Sequence, residues 1–418
     1  MRLQRRTSVL IAGGLLVGLA ACAESIEPVD PPSSDGSSSS DESRAPTESG
    51  APTESGSPTE SQESAAGADL MGVDGTDPVV NDSFVSPLVE RFGDIFIGSR
   101  SFVAGNTTLR ADPGGAVCIG SKSNVQDNVL LLALTTQPHD HTAECGDLSA
   151  SSGDETSVAH QAVITNSRLG NFVFVGFRAE INNAVVEDGA FILHGATIDG
   201  VTIPADALVG IGQQVTTQAE ADALPKVTDE NNAFKVEVLE VNAEFAEGYV
   251  ELYEEEGYSA VTGVSAAPAT QWNPDPVAPT IGSDVELEPF ARIVGDVHLG
   301  EGSTVGRRTS IRADEGAPIA IGARAEIEDR VTFHALKGTS ITIGDDLDTD
   351  DNVIFHGPLT VGDRLTIGDD AVLFRSEVAN NVTIGERALV IGVSLPDNAY
   401  VPPGAVITNQ GQADTLLD

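Results

Sequence analysis

The sequence predicts an all-β solenoid: two tandem parallel β-helices, the first closed by a C-terminal α-helix. Three observations predict it. Aliphatic residues recur at every sixth position, as in Ile281, Leu287, Ile293, Leu299, Val305 and Ile311. The pattern runs twice, and the two runs share motifs offset by 202 residues, Arg110-Ala111-Asp112 against Arg312-Ala313-Asp314. Between the runs lies one stretch of helical spacing, Phe234, Val238, Val241, Phe245 and Tyr249.

The N-terminus reads as a targeting segment. Arg2, Arg5 and Arg6 precede an apolar run, Val9 to Ala20, of signal-peptide length and too short to span a bilayer comfortably. It ends in Leu19-Ala20-Ala21-Cys22, which resembles a lipobox, and Arg5-Arg6 hints at twin-arginine export. We therefore expect a signal peptide over residues 1–21 and an extracytoplasmic protein held to the cell membrane by lipid on Cys22. The alternative is a cleaved secretory signal followed by an incidental cysteine. Residues 22–75 are Ser, Glu, Asp, Pro and Gly, with the near-repeat Ala45-Pro46-Thr47-Glu48-Ser49-Gly50 and Ala51-Pro52-Thr53-Glu54-Ser55-Gly56. Such a segment cannot bury a core and is expected to be a disordered tether.

The first module is expected over residues 76–258, where Ile97, Val103 and Leu109 carry the period of six. Neither a helix nor a two-sided strand has that period, but a hexapeptide repeat does. Each unit makes one short strand and one corner, and three units make a triangular coil with the aliphatic residue inside. Glycine follows that residue at Gly282, Gly300, Gly306 and Gly368, as a tight corner requires. Residues 230–257 form the amphipathic closing helix, rich in Glu. A linker over 259–271 holds Gly263, Ala266, Ala267 and Pro268, and the second module fills 272–418 without a comparable helix. Its register slips by four after Ala317 and resumes at Ile321, Ile327 and Phe333. Similar stretches, Thr217 to Asp222 and Gln412 to Asp414, close the two coils.

The chain of 418 residues carries a net charge of −42, with a pI near 4.2 and four lysines (Lys122, Lys226, Lys235 and Lys337). So acidic a surface excludes nucleic acid, and leaves the lipid as its contact with an anionic membrane. The tether contributes, but residues 229–257 and 284–370 are acidic too, which reads as halophilic adaptation. At about 1 M salt the Debye length falls to about 3 Å and self-repulsion becomes tolerable. Cys118 and Cys145 could pair in an oxidising compartment, or Cys118 could be a buried thiol.

Aligning the modules exposes a trade. His334 aligns with Leu132, and His356 with Thr165, whereas His160 aligns with Asp351. One copy lacks two histidines of a set of three, and the other lacks the third.

Both modules resemble the γ-class carbonic anhydrases, over about residues 76–258 and 272–418. The resemblance rests on Trp272-Asn273-Pro274, Arg312-Ala313-Asp314-Glu315-Gly316, His334-Ala335-Leu336, His356-Gly357-Pro358, Asn124-Val125-Gln126-Asp127, Ala159-His160-Gln161 and Ala246-Glu247-Gly248-Tyr249. It implies left-handed coils, and trimers holding zinc or iron at each subunit interface. One subunit supplies histidines matching His334 and His356, its neighbour one matching His160. Random decay would seldom leave complementary halves, so we expect one His₃ site between a first-type and a second-type module. Asp351 is the alternative third ligand, in a site between identical second modules.

Three neutral imidazoles leave a fourth position open for water, whose pKa the metal lowers toward about 7. The implied reaction is reversible hydration of CO₂ to bicarbonate. The resemblance implies proton transfer at Glu315, while Lys337 stands where a second glutamate is expected. It implies a water-holding role for Gln126 with Asn124 nearby, where the second copy has Glu328 and Glu326. It also implies interface salt bridges at Arg110, Asp112, Arg312 and Asp314. Partners are expected to be other modules: a homo-oligomer built on rings of three modules, or a ring completed by a one-module protein. His139, His141 and Cys145 lie in a loop that reads as solvated, with proton shuttling or a second metal as alternatives, and His194 and His298 read as surface or corner residues. Two rival functions remain. A hexapeptide-repeat acyltransferase would need an acyl-CoA-type donor, not expected outside the cell; a non-catalytic metal-binding scaffold would need neither.

Overall fold

The computed structural model describes residues 70–73, 75–134 and 149–417. The signal peptide, Cys22, most of the tether, and His139, His141 and Cys145 lie outside the described residues. Two left-handed parallel β-helices stand side by side, each a triangular prism of three sheets of seven or eight short strands. Equivalent strands stack coil upon coil. In one ladder of the second module Ile293, Ile311, Phe333, Phe355, Leu373 and Val390 pair in succession. All six are fully buried, so the period of six is the period of inward-pointing side chains. Stacking puts like on like: the Phe333 and Phe355 rings are parallel at 4.5 Å.

The corners turn through a left-handed residue, as at Asn106 (φ 60°), Asn128 (φ 59°), Arg308 (φ 58°) and Arg330 (φ 59°). Asparagine takes this conformation more easily than most residues. Gly300 answers a different need, because a Cβ there would lie 2.4 Å from the backbone of Gly322 in the next coil.

Each prism has its own aliphatic core. The closing helix, Asp229–Glu256, starts at a capping box between Thr228 and Asn231. It lays Phe245 and Tyr249 on Phe84 and Phe102 of the first module. Lys235 pins it further along, donating to the carbonyls of Phe172 (3.0 Å) and Gly189 (2.7 Å). The linker is part of the second prism: Val264–Ser265 pairs with Ile293 and Val294. Arg292 fastens this strand through the Gly263 carbonyl (3.0 Å) and the Ser265 hydroxyl (2.9 Å). Cys118 is in a disulfide, and its partner lies outside the described residues.

The modules join through unlike faces. The sheet carrying Asn124, Ser157 and Phe174 in the first packs on the sheet carrying Ser310, His334 and His356 in the second. Between them lies an apolar cluster including Ala159, Phe177, Phe191, Ile354, Val372 and Phe374. Along one edge, equivalent corners touch: Asn106 donates to the Arg308 carbonyl (2.9 Å) and Asn128 to that of Arg330 (3.4 Å). Arg178 pairs with Asp370 (2.9 Å) on the same edge. Contact between equivalents means that a rotation about that edge relates the modules.

Candidate metal centre

Three imidazoles meet in the seam between the modules. His160 follows the strand Ser157–Val158 at a corner of the first module. His334 and His356 end the strands Thr332–His334 and Ile354–His356 of the second and are paired neighbours in one ladder. Each offers a ring nitrogen within 4.8 Å of the others', and all are at most 4% exposed. His160 Nε2 lies 3.2 Å from His334 Nδ1. Among the described residues this is the only group of three or more metal-ligating side chains. Burial pushes His160 down to about 4, although Asp127 pulls the other way. Burial and the neighbouring histidines push His356 well below its usual value. Both are therefore neutral at pH 7, the form that binds metal.

Polar groups stand behind the rings. His160 Nδ1 is 3.4 Å from Asp127 Oδ2, and His334 Nε2 is 3.4 Å from Asp314 Oδ1 and 3.5 Å from Glu315 Oε1. His356 Nδ1 faces the Gly357 carbonyl at 3.5 Å. Such partners orient metal-binding histidines and fix their tautomers. His160 Nδ1, Asp127 Oδ2 and Asp314 Oδ1 are buried with these ion-pair contacts in place of close hydrogen bonds. This donor set fits a zinc or iron ion.

Arg312 organises the carboxylates. It is 4% exposed in its side chain, 3.2 Å from Asp127 across the seam and 3.4 Å from Asp314 beside it. Its guanidinium lies 5.6 and 5.9 Å from the Phe102 and Phe245 rings. Burial opposes ionisation of Asp127, but Arg312 and His160 outweigh it and hold the carboxyl down to about 2. Asp314 is held lower still by Arg312 and His334, despite its burial, and accepts from the Tyr249 hydroxyl at 2.7 Å. Glu315 differs: burial pushes its carboxyl up. Lys337 sits above the Trp272 ring at 4.4 Å, with its backbone N–H bonded to Glu315.

Of the residues expected from sequence, His160, His334, His356, Glu315, Gln126, Asn124, Arg312 and Asp314 come together here. Gln126 Oε1 is 3.3 Å from Arg312 Nη2, which is 3.2 Å from His334. Asp351 does not join them: it is exposed, and its carboxylate accepts the Asp329 backbone N–H at 3.0 Å. Arg110 and Asp112 pair with each other at 2.9 Å, with side chains 53% and 23% exposed, so they bridge no interface in this chain. His194 sits at a corner but is not on the surface: it is 3% exposed and stacks on Phe177 at 4.3 Å. His298 is exposed beside Asp296.

Sequence reasoning missed Asp127 as the cross-module partner, Asn242 as the partner of Gln126, and the Phe177 and Phe374 walls. One signal for Asn242 was present: a polar residue between Val238, Val241 and Phe245 on the apolar stripe of the helix.

No family model matches the chain. The carbonic anhydrase of Methanosarcina thermophila is 37% identical over 168 residues, which are 36% of this chain and 68% of that protein. The chain belongs to the γ-class carbonic anhydrase family. The mitochondrial γ carbonic anhydrase 2 of Arabidopsis thaliana is 33% identical over 148 residues, 35% of this chain and 45% of that one. A carboxysome assembly protein of Nostoc is 37% identical over 164 residues, and the match spans only 30% of it. Each of these matches covers about a third of this chain, about the length of one module.

Proposed function

We propose that this protein is a carbonic anhydrase that interconverts CO₂ and bicarbonate at a single site built by both modules of one chain. The observation that carries the reading is the meeting of His160 with His334 and His356, two half-sets from separate modules. The chemistry supplied by zinc or iron bound at these imidazoles is Lewis acidity, which brings the pKa of water toward about 7 and makes hydroxide available to CO₂. The chain's own residues do the rest. Asp127, Asp314 and the Gly357 carbonyl orient the rings. Phe177 and Phe374 exclude bulk water from one side. Glu315, buried 3.5 Å from His334 with a carboxyl more basic than usual, accepts the proton and passes it outward. Lys337 at the position of a second glutamate leaves Glu315 as the acid-base group of this seam.

The leader and the Cys118 disulfide support an extracytoplasmic, lipid-anchored protein; Cys22→Ala should release it from membranes. We further propose that a third module, from a second chain or a one-module partner, adds to the open faces left by the rotation; light scattering on the full chain would show assemblies larger than one chain.

The decisive test is CO₂ hydration with metal content in high-salt buffer for wild type, His160→Ala and Asp351→Ala, across a hundredfold dilution. Loss of metal and activity in His160→Ala, retention in Asp351→Ala, and no loss on dilution support a site within one chain. Failure of Asp351→Ala instead overturns it, and metal without hydration in wild type supports a scaffold.

A further inference from the structure

The triplet Asn-X-Ser/Thr is the acceptor sequence for an N-linked saccharide. The chain contains it three times, as Asn81-Asp82-Ser83, Asn106-Thr107-Thr108 and Asn381-Val382-Thr383. Sequence alone makes the three equal. Modification needs two groups: the asparagine amide nitrogen, which takes the sugar, and the hydroxyl two residues on, which a transferase reads. The fold separates the triplets by whether it uses those groups itself. Asn106 is 4% exposed and lies in the seam, donating to the Arg308 carbonyl at 2.9 Å. The hydroxyl of Thr108 donates to Glu90 at 3.2 Å. A saccharide on Asn106 would fill space that the second module occupies. Asn81 is half-buried, with its amide nitrogen 3.4 Å from the Ile97 carbonyl. Ser83 is fully buried, donating to the Gly98 carbonyl and accepting from the Ser101 N–H, each at 2.7 Å. Asn381 and Thr383, in contrast, are both exposed.

Asn381 occupies a left-handed corner (φ 58°), and its Oδ1 accepts from Arg364 Nε at 2.6 Å. Arginine has donors only, so this contact assigns the oxygen and leaves Nδ2 over. Among the described residues neither that nitrogen nor the Thr383 hydroxyl has a hydrogen bond. The corner joins the strands Glu377–Val378 and Thr383–Ile384, which belong to two sheets, whereas His334 and His356 end strands of the third. In a three-sided prism it is therefore the corner opposite the metal centre. We infer that Asn381 is a site of N-glycosylation. The co-reactant is a lipid-linked oligosaccharide. The amide nitrogen attacks its anomeric carbon, the C–N bond forms as the anomeric C–O bond breaks, and the lipid phosphate leaves with the bonding pair. The amide gives up one proton to a base of the transferase. The inference rests on the extracytoplasmic reading, because such transfer takes place on the outer side of a membrane.

The experiment is peptide mass spectrometry of the full chain, purified from the cells that make it, with the variants Asn381→Gln, Thr383→Val and Thr383→Ser. Trypsin places the Asn381 triplet in Ser376–Arg387 and the Asn106 triplet in Ser101–Arg110. Ser376–Arg387 should carry a saccharide mass in wild type and Thr383→Ser, and lose it in Asn381→Gln and Thr383→Val. Ser101–Arg110 should be bare in protein that holds metal. Metal content and CO₂ hydration should match wild type in all three variants, because the corner lies opposite the site. A bare Ser376–Arg387 in exported wild type would overturn the proposal, as would a saccharide that survives Thr383→Val. A bare peptide in protein found only inside the cell would sink the export reading and this inference with it. A modified Ser376–Arg387 in protein without CO₂ hydration would sink the carbonic anhydrase reading and leave the glycosylation site intact.

Discussion

Arg312 and Arg110 occupy equivalent positions in the two modules, and the structure gives them opposite energetic weights. Arg312 lies beside two carboxylates, Asp127 and Asp314, that are 1% and 0% exposed in their side chains, and the buried Arg292 guanidinium also acts on Asp314. Arg312→Met leaves Asp127 buried without its cation, and Asp314 with only Arg292 and the Tyr249 hydroxyl to offset its charge. Breaking a buried pair by removing one partner costs about 3–5 kcal/mol, and here one guanidinium serves both. Arg110→Met removes an exposed pair worth about 0–1 kcal/mol. The assay is unfolding of metal-free protein at pH 7, followed by circular dichroism and by emission of Trp272, the only tryptophan. Trp272 packs edge-on against Phe245 at 5.9 Å, beside Arg312, so its emission reports that part of the molecule. Raising salt to about 1 M shrinks the Debye length to about 3 Å and should abolish the small Arg110 effect while sparing that of Arg312. Equal costs for the two substitutions, or an Arg312 effect that salt removes, would refute the assignment of one face to the seam and the other to solvent.

Acid sensitivity should follow the buried imidazoles. Burial and Arg375 hold His194 down to about 3, so the unfolded chain binds a proton that the folded one refuses as pH falls below about 6.5. The stability lost by pH 5 from this residue is about 2 kcal/mol, and His194→Phe should flatten the pH dependence of the metal-free melting midpoint by that amount; an unchanged slope would count against a neutral His194. Lys235→Met should destabilise by about 2 kcal/mol, because two carbonyls lose a charged donor, read as a lowered urea midpoint. Glu315→Gln should reduce CO₂ hydration about a hundredfold or more while metal content stays at wild-type level; loss of metal would make Glu315 a structural partner of His334 instead.

The period of six was enough to read the coils, because every sixth side chain must point into a narrow prism and apolar groups, mostly aliphatic, fill it. Helical spacing from Phe234 to Tyr249 likewise marked the closing helix, since one stripe had to cover Phe84 and Phe102. The complementary histidine losses told which residues belong to one site. What the sequence could not say is that the two half-sets of one chain meet each other. That depends on a linker short enough to set the modules side by side, on Val264–Ser265 adding to the second prism, and on unlike faces meeting across a rotation. The same packing decided that Arg312 is buried and its twin Arg110 exposed, although local sequence makes them equivalent. It also brought Asn242, 116 residues beyond Gln126, to its amide. Periodicity describes how a side chain faces its own coil, whereas charge burial, ligand meeting and amide orientation are set by which coil stands opposite.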